Sequence, residues 1–129
     1  MNANNAKRLL SVGLGFLLLF HGVDKLTNGI DGIISMVNSL KLPYPDYTHY
    51  LAYGVYLGEV VAPILLIIGR YVRQAGLLVV INMLFAIALT YGSDIFTLNE
   101  HGGWIIELPM AYLIMGLTLA IWGDPKVKK

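Results

Sequence analysis

Two glutamates and one histidine, Glu59, Glu107 and His21, lie inside apolar stretches long enough to cross a bilayer. An ionisable side chain in such a place is costly unless it has a partner or a task. Carboxyl and imidazole groups are the usual carriers of proton exchange, so these three are the expected catalytic residues. Burial disfavours the ionised carboxylate, and Glu59 is therefore expected to be neutral unless His21 is its cationic partner. Two carboxyls and an imidazole could also hold a divalent metal. However, no Glu-x-x-His pair is present, and one histidine with scattered acids is a poor ligand set, so no metal is expected. The plainer alternative is a hydrogen-bonded polar core that only fixes helix register.

The elements that must position these groups are four apolar runs. Of the 129 residues, 57% are hydrophobic and 13% charged, against roughly a quarter charged in soluble domains. This composition predicts an all-α integral membrane protein, a four-helix bundle with spans at about 8–27, 49–69, 73–92 and 103–122. The first run reaches spanning length only by continuing through Asp24, Lys25 and Leu26, with the lysine reaching toward the interface. Lys7 and Arg8 before it would also suit a cleaved signal peptide, but no small-x-small site follows, and the first helix is expected to stay.

Lys7, Arg8, Arg70, Arg73, Lys126, Lys128 and Lys129 flank the ends and the second-to-third connection, whereas Lys25 and Lys41 lie on the opposite side. The positive-inside rule then puts both termini in the cytoplasm. The expected location is the bacterial cytoplasmic (inner) membrane, crossed several times. The basic tail is read as a topology determinant in contact with anionic lipid. In the first outer loop Ile33, Ile34, Val37 and Leu40 recur near helical spacing until Pro43 and Pro45 break the run, which predicts a short interfacial helix. Tyr44, Tyr47, Tyr50, Trp104 and Trp122 fall at span ends, where amphipathic rings favour the headgroup layer.

At about 1.5 Å per residue, His21, Glu59 and Glu107 lie roughly 8, 13 and 5 Å below the outer boundary and so are expected to share one outer-half pocket. Tyr56, Glu59 and Pro63 follow i, i+3, i+7 and fall on one face, so the phenol is expected to bond the carboxyl. His21 is expected to point inward with Lys25, one turn on, at the mouth. Asn82 sits near mid-depth on the third span and is a candidate donor to Glu59 or to a backbone group. Lys25, Tyr56, Asn82 and Trp104 are the expected substrate contacts.

Other chemistries are excluded or unsupported. With no cysteine, the chain itself performs no thiol-disulfide chemistry, holds no thiolate-bound iron-sulfur cluster and attaches no c-type haem. The few basic residues form no stripe for nucleic acid, and no phosphate loop or hydrolase triad motif stands out.

Four segments in order resemble the DoxX family of small four-helix bacterial membrane proteins. They are Phe20-His21-Gly22-Val23-Asp24-Lys25-Leu26, Leu42-Pro43, Gly58-Glu59 with Leu65 to Gly69 after it, and Gly102-Gly103-Trp104-Ile105-Ile106-Glu107. Asp24 stands where the family often has Gln, and Val60-Val61-Ala62-Pro63 replaces a Gly-rich stretch. The resemblance implies an association with quinone-linked oxidation, as in a subunit of thiosulfate:quinone oxidoreductase, and makes His21, Lys25, Glu59 and Glu107 the residues to carry over. The expected function is a quinone- or quinol-interacting, proton-exchanging subunit of a membrane oxidoreductase complex, with electrons from a soluble or membrane redox partner. The alternatives are a small proton-coupled transporter or binding protein acting as a homo-oligomer, and a non-catalytic assembly subunit.

Overall fold

The computed structural model describes residues 2–41, 43 and 48–123. Tyr44, Tyr47 and the basic tail with Lys126, Lys128 and Lys129 lie outside the described residues. Those residues form an all-helical bundle whose only strand-like feature is an isolated antiparallel bridge between Leu98 and Trp104. Three helical stretches, Ala3–Asn28, Tyr50–Ile68 and Val72–Thr90, are long and apolar enough to cross a membrane, and a shorter apolar helix runs over Glu107–Trp122.

Helix α1 (Ala3–Asn28) starts where the Asn2 side chain accepts from the Asn5 N–H at 2.9 Å, satisfying one of the free donors of the first turn. It ends at Gly29, whose φ of 80° favours glycine. The expected interfacial segment is α2 (Asp31–Asn38), and Val37 on it is buried. The second apolar run is not one α-helix. It consists of α3 (Thr48–Tyr53), a turn at Gly54, a π turn over Leu57–Val61 and α4 (Ala62–Ile68). Pro63 has no N–H to donate to the ladder, and the wider π turn lies directly before it. After α5 (Val72–Thr90) comes a short 3-10 segment, Gly92–Phe96. The last helix, α6 (Glu107–Trp122), begins four residues later than the apolar run suggests. Pro109 falls in its first turn, the one place where a helix accepts proline without losing a bond. The preceding residues form a loop held by the Leu98–Trp104 bridge, with the Trp104 indole donating to the Ile95 carbonyl.

Helix α1 packs on α4, α4 on α5 and α5 along α6, and α1 also meets α6. Leu14, Leu18, Leu66, Val79 and Leu119 fill the centre and are essentially inaccessible. Close approach is built in by glycine: a Cβ on Gly76 would lie 2.5 Å from the Gly116 carbonyl, and one on Gly15 would lie 2.6 Å from that of Pro63. The Ser11 hydroxyl donates to the Leu66 carbonyl at 2.6 Å, a group near the end of α4 that the helix ladder leaves free. A second, smaller core joins Ile30, Val37 and Ala52 to Val55, Tyr56 and Leu89, and it holds α2 and α3 against α5.

Candidate functional site

The buried face of α1 decides which of its polar groups enters the bundle. Ser11, Gly15, Leu18 and Gly22 are buried and are spaced by four, three and four residues. Three further on, the same stripe reaches Lys25, whereas His21 falls beside it. Gly22 is the point of contact, since a Cβ there would lie 1.9 Å from the Glu59 carbonyl oxygen in the π turn. With α1 seated so closely, the Lys25 ammonium comes to 3.6 Å from Glu59 Oε2. Both side chains are largely withdrawn from solvent, at 20% and 10% exposure. The cation beside Glu59 is therefore Lys25, and not His21, the one cationic partner that the sequence suggests as an alternative to a neutral carboxyl.

Helix α5 supplies the other neighbour. Asn82 Nδ2 donates to Glu59 Oε1 at 3.4 Å, and the two elements approach because Gly58 leaves room: a Cβ on it would lie 2.3 Å from that of Asn82. The Tyr56 hydroxyl donates to the Lys25 backbone carbonyl at 3.3 Å, and not to the carboxyl. It ties the end of α1 to the start of the π turn. Asp24 Oδ2 is 3.7 Å from the Lys25 ammonium, and its Oδ1 accepts from Asn28 at 2.6 Å.

Asp24, Lys25, Glu59 and Asn82 line a cavity of about 550 Å³ between the end of α1, α2, α3, the π turn and α5. Ile33, Met36, Val37, Val55, Leu78 and Leu89 contribute apolar wall, while Asp24, Lys25, Glu59 and Asn82 cluster as polar lining residues, with Tyr50 and Thr90 also in the lining. Leu40, Tyr50, Leu51, Leu57, Ile81 and Phe85 also line it and are about half exposed or more, so the cavity opens through a mostly apolar rim. The size suits a small organic ligand, and the pattern of apolar walls with a few convergent polar groups is that of a ligand site.

The other expected residues are placed elsewhere. His21 is exposed and meets the Tyr112 ring of α6 edge-on at 6.0 Å between centroids. Glu107 is exposed in the first turn of α6, where a negative charge suits the helix dipole. A Cβ on Gly103 would lie 2.9 Å from its carboxylate, so Glu107 closes over the loop that Asn99 organises by accepting from the His101 and Gly103 N–H groups, each at 2.9 Å. Trp104 belongs to that loop. None of these three lines the cavity. Among the described residues, no three His, Asp or Glu side chains converge in a way that could hold a metal ion.

Sequence reasoning missed Gly22, Gly58 and the walls provided by α2. A glycine directly beside a conspicuous polar residue, as in His21-Gly22 and Gly58-Glu59, is the signal that marks where backbones touch. The seven-residue spacing of Ser11, Leu18 and Lys25 is the signal that turns the lysine inward.

The fold and site thus define a small all-helical protein of membrane-spanning character with a mostly apolar cavity. The DoxX family model matches residues 8–92, and the chain belongs to that family. The matched stretch carries α1 to α5 with His21, Lys25, Tyr56, Glu59 and Asn82, while Trp104 and Glu107 follow it. No curated protein and no solved structure matches the chain.

Proposed function

We propose that this protein is a multi-pass subunit of the bacterial cytoplasmic membrane that binds a quinone-type, lipid-soluble molecule in the cavity and exchanges protons with its head group through Glu59. It does so as part of an oxidoreductase complex whose redox partner supplies the electrons. The observation that carries this reading is the clustering of Lys25, Glu59 and Asn82 in the lining of a mostly apolar cavity. A ring with polar oxygens fits beside this cluster, where the Lys25 ammonium is a donor and Glu59 a proton carrier. The isoprenoid-like tail leaves across the rim of Leu57, Ile81 and Phe85 toward lipid. Asn82 donates to the Glu59 carboxyl and fixes its place in the lining, and the Tyr56 hydrogen bond fixes the backbone from which Lys25 projects.

Orientation is supported by charge. Lys7 donates to the Trp122 carbonyl at 3.3 Å, Arg8 lies by Gly69 and Arg73 by Gly123, so these cations gather at the bundle end opposite the cavity. With that end in the cytoplasm, both termini are cytoplasmic and the cavity opens in the outer half of the bilayer. The test is titration of the protein in native-lipid particles with a short-chain quinone, followed by intrinsic fluorescence. Saturable binding that is lost in Lys25→Met supports the reading. Absence of saturable binding, with no quinone extracted from the purified protein, refutes it.

A further inference from the structure

We propose that the cavity sorts its ligands by charge, taking amphiphiles with neutral or cationic heads and rejecting anionic ones, with Asp24 as the specificity-determining residue. This rests on the reading of the cavity as a site for a lipid-soluble ligand and specifies the class of head group that it takes.

The inference comes from the charge balance of the lining. Among the described residues, the lining side chains that carry charge at neutral pH are Asp24, Lys25 and Glu59. The Lys25 ammonium lies 3.7 Å from Asp24 Oδ2 and 3.6 Å from Glu59 Oε2. Its one positive charge is shared between two carboxylates, and a negative charge is left over. Lys25 and Glu59 are largely withdrawn from solvent, which weakens screening. Asn28 steadies Asp24 by donating to its Oδ1 at 2.6 Å. Helices α2, α3 and α5 bring neither lysine nor arginine to the lining, and Lys7, Arg8 and Arg73 gather at the opposite end of the bundle.

Charge acts through space, so this selection needs no contact with the enclosed Glu59 Oε2. A sulfonate, phosphate or carboxylate head would leave water for apolar walls and a like net charge, and its attraction to Lys25 is already offset by two acids. A neutral head avoids that penalty, because its oxygens accept from the ammonium N–H groups without adding charge. A cationic head gains from the unbalanced carboxylate. Anionic lipids, which offer the same apolar tails, are thus kept out by a charge set against them. Asp24 is 58% exposed and partly screened by solvent, so the discrimination expected is about tenfold in affinity.

The experiment uses the full chain in phosphatidylcholine nanodiscs, whose surface has no net charge, at neutral pH. Three probes, octanesulfonamide, octanesulfonate and octylammonium, displace a short-chain quinone, each corrected for its partition into protein-free discs. The first two share a shape and differ in charge. The expected result is that the sulfonate binds at least about tenfold more weakly than the sulfonamide, and the ammonium no more weakly than the sulfonamide. In Asp24→Asn, which keeps an acceptor for Asn28, the sulfonamide-to-sulfonate ratio should shrink to within about threefold. In Asp31→Asn, at an exposed acid of α2 outside the lining, the ratio should stay as in the wild type. The wild-type and Asp31→Asn ratios stand by themselves if Asp24→Asn is lost to misfolding. Sulfonate binding within about threefold of the sulfonamide, a ratio unchanged in Asp24→Asn, or an equal fall in Asp31→Asn overturns the charge selection and leaves the ligand site intact. Failure of the quinone and all three probes to bind overturns both.

Discussion

The contact that sets the site is also the one most sensitive to a single methyl group. In Gly22→Ala the new Cβ would stand 1.9 Å from the Glu59 carbonyl oxygen, 2.7 Å from its carbon and 3.0 Å from Val60 Cγ2. Real contacts between such atoms begin more than an ångström further out. The nearest obstacle is backbone inside the π turn, so no side chain can swing aside, and α1 must withdraw from the π turn and α4. Overpacking of this kind costs about 1–3 kcal/mol, and the upper end is expected because the clash is with main chain. A melting midpoint lower by roughly 5–10 °C follows. The same shift carries Lys25 away from Glu59, so ligand affinity should fall with stability. The control is Gly13→Ala on the same helix, where a Cβ would meet nothing within 4 Å. There the helix gains roughly what alanine gains over glycine, up to about 1 kcal/mol, and the midpoint should hold or rise. Thermal unfolding of both variants in one lipid preparation makes the comparison. Equal midpoints for wild type and Gly22→Ala would refute the close seating of α1 on the π turn.

Other perturbations follow from the same geometry. Lys25→Met leaves the Glu59 carboxylate buried without its cation and should destabilise by about 3–5 kcal/mol, whereas adding Glu59→Gln should restore most of the loss; a double-mutant cycle in thermal unfolding measures the coupling. Ser11→Ala removes the 2.6 Å hydrogen bond to the Leu66 carbonyl and should cost about 1–2 kcal/mol without changing ligand affinity, readable from unfolding and quinone titration together. His21→Phe keeps a ring against Tyr112 and should bind quinone like the wild type, since His21 does not line the cavity; loss of binding in a folded variant would place the ligand between α1 and α6 instead.

The helices were readable where pattern alone decides them. Apolar runs mark α1, α5 and α6, and the recurrence of Ile33, Ile34 and Val37 marks α2. The interruption of the second run was not, because a π turn is a backbone response to the missing donor of Pro63 and to packing against Gly22, and neither alters hydrophobic periodicity. In the site, depth and donor chemistry leave Asn82 two acceptors, Glu59 or a backbone group, and the structure brings it to Glu59 at 3.4 Å. Depth alone leaves His21 as the cation available to Glu59; rotation about the helix axis decides for Lys25. His21 and Lys25 are one turn apart, but the buried stripe through Ser11, Leu18 and Gly22 carries Lys25 inward and leaves His21 at its edge. Glu107 was grouped with Glu59 on the assumption of a span continuing through Trp104. Its position in the first turn of α6, after a looped segment, removes that premise.

The central claim is that an amphipathic ligand sits with its head between Lys25, Glu59 and Asn82. A density map of the protein in its native lipid tests it most directly. The account predicts an elongated density in the cavity, its polar end within about 3 Å of the Lys25 ammonium and beside Glu59 and Asn82, and its tail leaving past Ile81 and Phe85. A cavity closed by α2 or filled by water alone, or a head group resolved beside His21 and Tyr112, would contradict it.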